Sequence, residues 1–215
     1  MRNSNGWWFP DGETHFPQMV SESLKHIGRA EYQHLARNKS LQYVKKKRTA
    51  IDIGANVGLW SRPLADIFER VICFEPVEIF AECWHKNMAG KNALFYQMAL
   101  GNEVTMIDMV ITPRNMGKTH VNPNTIGKGQ IPMSVLDAYS FTNVDYIKID
   151  CEGYELPVLE GAKNTILQNK PIIILEQKSH PYFSKFWGQK QGIKFLESLG
   201  MKHLDQVNDD HVLGF

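Results

Sequence analysis

TAIDIGANVGLW, residues 49–60, decides the fold. An apolar run carrying one acid, Asp52, breaks at Gly54 into a turn that closes at Gly58, and a helical pattern starts at Leu59. Short β-branched runs alternate with such patterns from there on. Strands are expected at 49–53, 70–75, 93–98, 144–149 and 171–176, and helices near 59–68, 77–88, 155–168 and 189–199. Alternation of this kind builds βαβ units, a mostly parallel sheet with helices on both faces. In the third helix Pro157 sits in the first turn, where a missing N–H costs nothing, and Leu156, Leu159, Ala162 and Ile166 share one face. The tail MKHLDQVNDDHVLGF reads as two short strands around Asn208-Asp209-Asp210, so the α/β sheet should carry an antiparallel C-terminal strand.

The 215 residues fit one domain, 49–215, preceded by an N-terminal aromatic arm and helix, 1–48. In the arm, Trp7, Trp8 and Phe9 are expected in a loop, either folded over a ligand or tucked against the core. Val20, Leu24, Ile27 and Leu35 should lie on one side of a helical stretch. Lys45–Arg48 reads as a solvated helix C-terminus. With 24 basic and 23 acidic residues the net charge is +1, too small a field to steer nucleic acid or an anionic membrane surface. Three cysteines without C-x-x-C spacing argue for packed thiols in a reducing compartment. No apolar leader or membrane-length run is present, so a cytoplasmic location is expected. Residues 113–132 are rich in Gly, Pro, Asn and Lys and read as a long loop.

The turn departs from a dinucleotide fingerprint. Asn56 and Leu59 stand where G-x-G-x-x-G has its second and third glycines, and Asp52 would repel a phosphate. That counts against a nicotinamide-dependent oxidoreductase. A ligand offering a positive group to Asp52 and an adenosine-like body to the glycines fits better, and S-adenosylmethionine has both. Its ribose diol needs an acidic acceptor at the end of the second strand, where VICFEP places Glu75.

IDIGANVG, FEP, MALG at 98–101, LD at 136–137, VDYIKIDCEGYELPVLEGA at 144–162 and KPIIILEQK at 170–178 together resemble the FkbM family of S-adenosylmethionine-dependent methyltransferases. The resemblance covers roughly residues 49–178. It implies a Rossmann-like class I methyltransferase fold, with O-methylation as the usual chemistry and no single substrate. It carries Asp52, Gly54, Asn56 and Gly58 to the methionine end of the cofactor, Glu75 to the ribose, and Met98 with Ala99 to the adenine region.

KIDCEGYE puts Lys148 and Asp150 on one strand face and adds Glu152 and Glu155 as the chain turns into a helix. Asp150 should lie beside the methionine end and Glu152 nearer the acceptor. Asp150, Glu152 or Glu176 could take the acceptor's proton, whereas Glu155 reads as decoration of a first helical turn. Lys148, in an apolar strand, should pair with one of these acids. Acids ending the fourth and fifth strands, followed by Lys178 and His180, resemble a divalent-metal site only loosely, so no metal is expected. The acceptor is expected to be a small molecule or a saccharide. A subunit that binds S-adenosylmethionine without catalysis is the alternative from another class; it would tolerate loss of the 150–155 carboxylates.

Overall fold

The computed structural model describes residues 1–177 and 190–215. Lys178 and His180 lie outside the described residues. The arm forms a hairpin of β1 (Arg2–Ser4) and β2 (Trp7–Phe9), followed by α1 (His15–Ile27) and α2 (His34–Leu41). Then come β3 (Thr49–Ile53), α3 (Ser61–Ala65), β4 (Arg70–Phe74), α4 (Glu78–Asn87) and β5 (Ala93–Tyr96). Four short strands follow: β6 (Ala99–Leu100), β7 (Thr105–Val110), β8 (His120–Asn122) and β9 (Ile131–Ser134). The chain continues through β10 (Val144–Ile149), α5 (Glu155–Glu160), α6 (Lys163–Asn169), β11 (Ile172–Glu176), α7 (Gln191–Ser198), β12 (Lys202–Val207) and β13 (Asp210–Gly214).

The main sheet runs β12-β13-β11-β10-β3-β4-β5. Five strands, β11 to β5, are parallel, and the C-terminal hairpin adds two antiparallel ones. Strand alternation divides the core. Ile51, Ile53, Ile147 and Ile149 face α5, α6 and α7 through Val158, Leu159, Ile166 and Leu196. Ala50, Tyr146 and Ile174 face α2, α3 and α4 through Ala36, Leu64 and Trp84. Helices therefore cover both faces. No helix among the described residues is long and apolar enough to cross a membrane.

Several expectations need correction. The helix read at 155–168 is two helices broken at Gly161 and Ala162, because Gly161 lies so close to the Gly101 carbonyl that a Cβ there would fall 1.9 Å from its oxygen. The stretch 113–132 is no plain loop, for it contributes to a second sheet of order β6-β9-β7-β8. Trp7 and Phe9 are strand residues tucked into a cluster with Val57, Leu59 and Phe80. Asn87 fixes that strand: its Oδ1 accepts from the Trp8 amide at 2.7 Å and its Nδ2 donates to the Trp8 carbonyl at 2.9 Å. In the arm helices Val20 is buried, whereas Leu24, Ile27 and Leu35 are exposed. The basic run lies beyond α2, which ends at Leu41, and Arg48 pairs with Asp145 across to β10.

Candidate functional site

Strands β4 and β5 lie on one side of β3 while β10 and β11 lie on the other, so the switch point of the sheet falls between β3 and β10. A cavity of about 230 Å³ opens there. Its floor is Gly54, Ala55 and Asn56 after β3, Glu75 after β4, and Lys148, Asp150 and Glu152 at the end of β10. His15 and Phe16 of α1 and Asn115, Gly117, Lys118 and Thr119 contribute to the wall. Glu13 locks these last two segments together. Its buried carboxylate accepts from the His15 and Phe16 amides at 2.5 and 3.1 Å and from the Met116 amide at 2.6 Å.

The glycine turn is closed on itself. Gly54 and Ala55 donate their amides to the Phe74 carbonyl, each at 3.0 Å, and Gly58 donates to Ala55 at 2.8 Å. The Asn56 amide goes to Glu75 Oε2 at 2.9 Å and the Val57 amide to Asn56 Oδ1 at 2.8 Å. All five amides that could have cradled a pyrophosphate are thus taken within the protein. Gly54 is required by packing: at φ +75 a Cβ would sit 2.0 Å from the Asp150 carbonyl oxygen.

Asp52 is where the expectation fails in detail. It is fully buried beneath the turn and does not line the cavity, so it cannot meet a ligand's ammonium directly. Its Oδ2 accepts from Ser61 Oγ at 2.6 Å, and its Oδ1 lies 3.4 Å from Lys148 Nζ. Lys148 stands opposite Asp52 in the β10–β3 register, and unlike Asp52 it reaches the cavity wall. It donates to the Gly54 carbonyl at 2.9 Å and lies 3.9 Å from Asp150 Oδ2. Burial pulls the Lys148 ammonium down, but Asp52 and Asp150 outweigh it and hold the pKa above the usual lysine range. The repulsion of phosphate by Asp52 is accordingly neutralised; the occupied amides make the case against a pyrophosphate instead.

Glu75 lines the cavity. Burial pushes its carboxyl up to about 7, against the opposing pull of the Val77 and Asn56 amides that it accepts. Beyond Glu75 the cavity meets a small apolar cleft of about 50 Å³, bounded by Phe74, Pro76, Met98, Ala99 and Val121. Both spaces share Gly54, Met109, Thr119 and Asp150. The Met98 sulfur accepts from the Tyr139 hydroxyl at 2.7 Å, and the Met98 amide is taken by the Tyr96 carbonyl at 2.9 Å, so this residue offers the cleft a side-chain surface.

Asp150, Glu152 and Glu176 converge, with one carboxylate oxygen of each within 4.8 Å of the others. A hard divalent cation could use that spacing. Asp150 and Glu152 line the cavity, while Glu176 lines a neighbouring one. Glu155 holds the loop that carries them, because its buried Oε1 accepts from the Cys151 and Gly153 amides at 3.1 and 2.9 Å. Burial pushes its carboxyl up to about 7.

Tyr32, which no motif marks, lines the cavity from the arm beside these acids. Burial first, then Asp150, Glu176, Asp210 and Glu152, hold its phenol well above the usual range. Phe16, His15 and Thr119 were equally unmarked. Trp60 also lines the cavity, with its indole N–H donating to Gln33 Oε1 at 2.6 Å.

Comparison with known proteins bears on this geometry. The family model for the methyltransferase FkbM domain matches residues 52–206. No curated protein matches the chain in sequence. Among solved structures, the chain is similar to the methyltransferase FkbM of Methylobacillus flagellatus KT, with 20% identity and a TM-score of 0.51; the match covers 79% of this chain and 43% of that one. This chain thus spans less than half of that protein. It is also similar to a methyltransferase of Geobacter sulfurreducens, at 13% identity, TM-score 0.51, and coverage of 96% and 89%. A third similar structure is a methyltransferase-like protein of Streptococcus mutans in complex with SAH, at 11% identity, TM-score 0.51, and coverage of 84% and 94%. At these identities the three structures speak for the fold, a class I methyltransferase arrangement.

Proposed function

The chain belongs to the methyltransferase FkbM domain family, and on that premise we propose that it transfers a methyl group from S-adenosylmethionine to a hydroxyl of a small molecule or saccharide. The observation that carries the cofactor assignment is the closed turn: five consecutive amides are occupied internally, so the cavity suits an uncharged nucleoside rather than a pyrophosphate. The donor set fits the remaining parts of the cofactor. Phe74, Pro76 and Met98 offer an apolar cleft for adenine, Glu75 a carboxylate for the ribose diol, and Asp150 with Glu152 negative charge for the ammonium end. Lys148 supplies a cation for a carboxylate, and Asp52 acts beneath it by holding that cation in place.

Bound there, S-adenosylmethionine supplies an electrophilic methyl on a sulfonium: the C–S bond breaks, a C–O bond forms, a proton leaves the hydroxyl, and a neutral thioether remains. The chain's part is placement and proton uptake. Asp150, Glu152 and Glu176 bring three carboxylates together at this rim, with one oxygen of each within 4.8 Å of the others. The cluster is thus suited to receive the hydroxyl proton. The arm, fixed through Glu13 and Phe16, covers the cavity and limits the entry of water.

The test is transfer of labelled methyl from S-adenosylmethionine to a pool of alcohols and saccharides, followed by identification of the new linkage. A labelled ether lost in Asp150→Asn and Glu152→Gln supports the proposal. Transfer to nitrogen, or cofactor binding that neither substitution affects and no turnover with any acceptor, counts against it.

A further inference from the structure

A buried polar atom without a partner lowers stability, so each one asks for a reason. Among the described residues two buried side-chain atoms make no hydrogen bond, Asp52 Oδ1 and Thr119 Oγ1. Asp52 Oδ1 is compensated by the Lys148 ammonium, 3.4 Å away. Thr119 Oγ1 belongs to a neutral hydroxyl and has neither donor nor acceptor among the described residues.

Local structure explains why this hydroxyl is left over. Thr119 is extended, at φ −69 and ψ 127, where the 3-10 turn Met116–Lys118 ends and the chain enters β8, and its amide donates to the Met116 carbonyl at 3.2 Å. In a helix a threonine hydroxyl can turn back to a carbonyl one turn earlier, an acceptor that extended backbone does not offer. The neighbouring Lys118 carbonyl already accepts from Thr112 Oγ1 at 3.3 Å and from His120 Nδ1 at 3.0 Å. Both flanks are fixed, since Glu13 binds the Met116 amide and His120 pairs with Val110 of β7.

Thr119 lines both the glycine-turn cavity and the apolar cleft, so it stands at the seam between them together with Met109 of β7. The inference rests on the cofactor reading above, in which the ribose lies at Glu75 and the base beside Phe74, Pro76 and Met98. The bond from sugar to base then crosses this seam. Phe74, Pro76 and Met98 give the base apolar contact, and the Met98 sulfur is already engaged by the Tyr139 hydroxyl. A threonine hydroxyl can donate to a ring nitrogen, and one χ1 step turns it from one side of the seam to the other.

We propose that Thr119 is a cofactor-binding residue whose hydroxyl donates to a ring nitrogen on the sugar side of the adenine, N3 or N7. The group left unpaired in the free chain is satisfied when the base is bound, and the second sheet thereby takes part in recognising the cofactor.

S-adenosylhomocysteine and its 3-deaza and 7-deaza analogues are titrated calorimetrically into wild type, Thr119→Val and Thr119→Ser. Valine keeps the shape and suits extended backbone, whereas serine keeps the hydroxyl. Thr119→Val should weaken S-adenosylhomocysteine about tenfold and Thr119→Ser by no more than about threefold. One deaza analogue should bind wild type about tenfold more weakly than S-adenosylhomocysteine does, and lose no more than about twofold further in Thr119→Val. The urea midpoint of ligand-free Thr119→Val should equal or exceed that of wild type, because the substitution removes the unpaired group. Undiminished S-adenosylhomocysteine binding in Thr119→Val, an equal loss in the serine variant, the full loss persisting with both deaza analogues, or a lowered urea midpoint overturns the inference and leaves the cofactor reading standing. Failure of wild type to bind S-adenosylhomocysteine overturns both.

Discussion

Replacing Glu155 with glutamine removes a titratable group without removing a hydrogen bond. The Cys151 and Gly153 amides both converge on Oε1, so a glutamine carbonyl can accept the pair while its NH₂ stands where the second oxygen was. Burial raises the native carboxyl from 4.5 to about 7. At about 1.4 kcal/mol per tenfold change in affinity for the proton, that interval is worth roughly 3 kcal/mol. The folded protein holds the proton more tightly than the unfolded chain does. Wild type therefore has this increment in full below pH 4.5 and loses it as pH rises through about 7. Glutamine mimics the neutral acid at every pH and cannot lose it. Urea denaturation of both proteins from about pH 4.5 to about pH 8 should show the stability of Glu155→Gln relative to wild type rising by roughly 3 kcal/mol. Subtraction cancels Glu75, which titrates in the same direction in both. A difference that stays flat, or falls with pH, would refute the assignment of Glu155 as a buried carboxyl holding the 151–153 loop.

Lys148→Met should leave Asp52 as an uncompensated buried charge and cost about 3 to 5 kcal/mol in denaturant midpoints, with Asp52→Asn in the same chain restoring part of the loss. Gly54→Ala places a Cβ 2.0 Å from the Asp150 carbonyl and should cost more than about 2 kcal/mol and weaken S-adenosylhomocysteine binding. Gly90→Ala is its control, sharing the positive φ with nothing within 4 Å, and should cost only about 1 kcal/mol. Glu13→Ala strands three amides and should cost about 2 to 5 kcal/mol, with limited proteolysis accelerated at 113–119. Equal proteolysis of wild type and variant would show that Glu13 does not hold that segment.

Much of the main sheet was legible because its strands are short runs rich in β-branched residues, as in Ile172–Leu175 and Val144–Ile149, whose burial on both faces leaves little choice of structure. The second sheet was not. Thr105–Val110 and Ile131–Ser134 are only partly buried, and Pro132 and the surrounding Gly and Asn residues mask their pairing. Gly54, Asn56, Glu75, Asp150 and Glu152 fell around one cavity because chain order at the ends of parallel strands also gives spatial order. Asp52 misled for the same geometric reason that placed it. It shares a strand face with Lys148 across the register, and a buried pair there satisfies both charges without a ligand. Tyr32 and Phe16 carry no signal at all, since the position of the arm is set by tertiary contacts such as Glu13 to Met116.

Calorimetric titration of the purified chain with S-adenosylhomocysteine and, separately, with NAD tests the central claim most directly, repeated in Glu75→Ala. The account predicts binding of S-adenosylhomocysteine at about micromolar Kd, weakened by about 1.4 kcal/mol or more in the variant, and no heat with NAD. An absence of S-adenosylhomocysteine binding, or a preference for NAD, would contradict it.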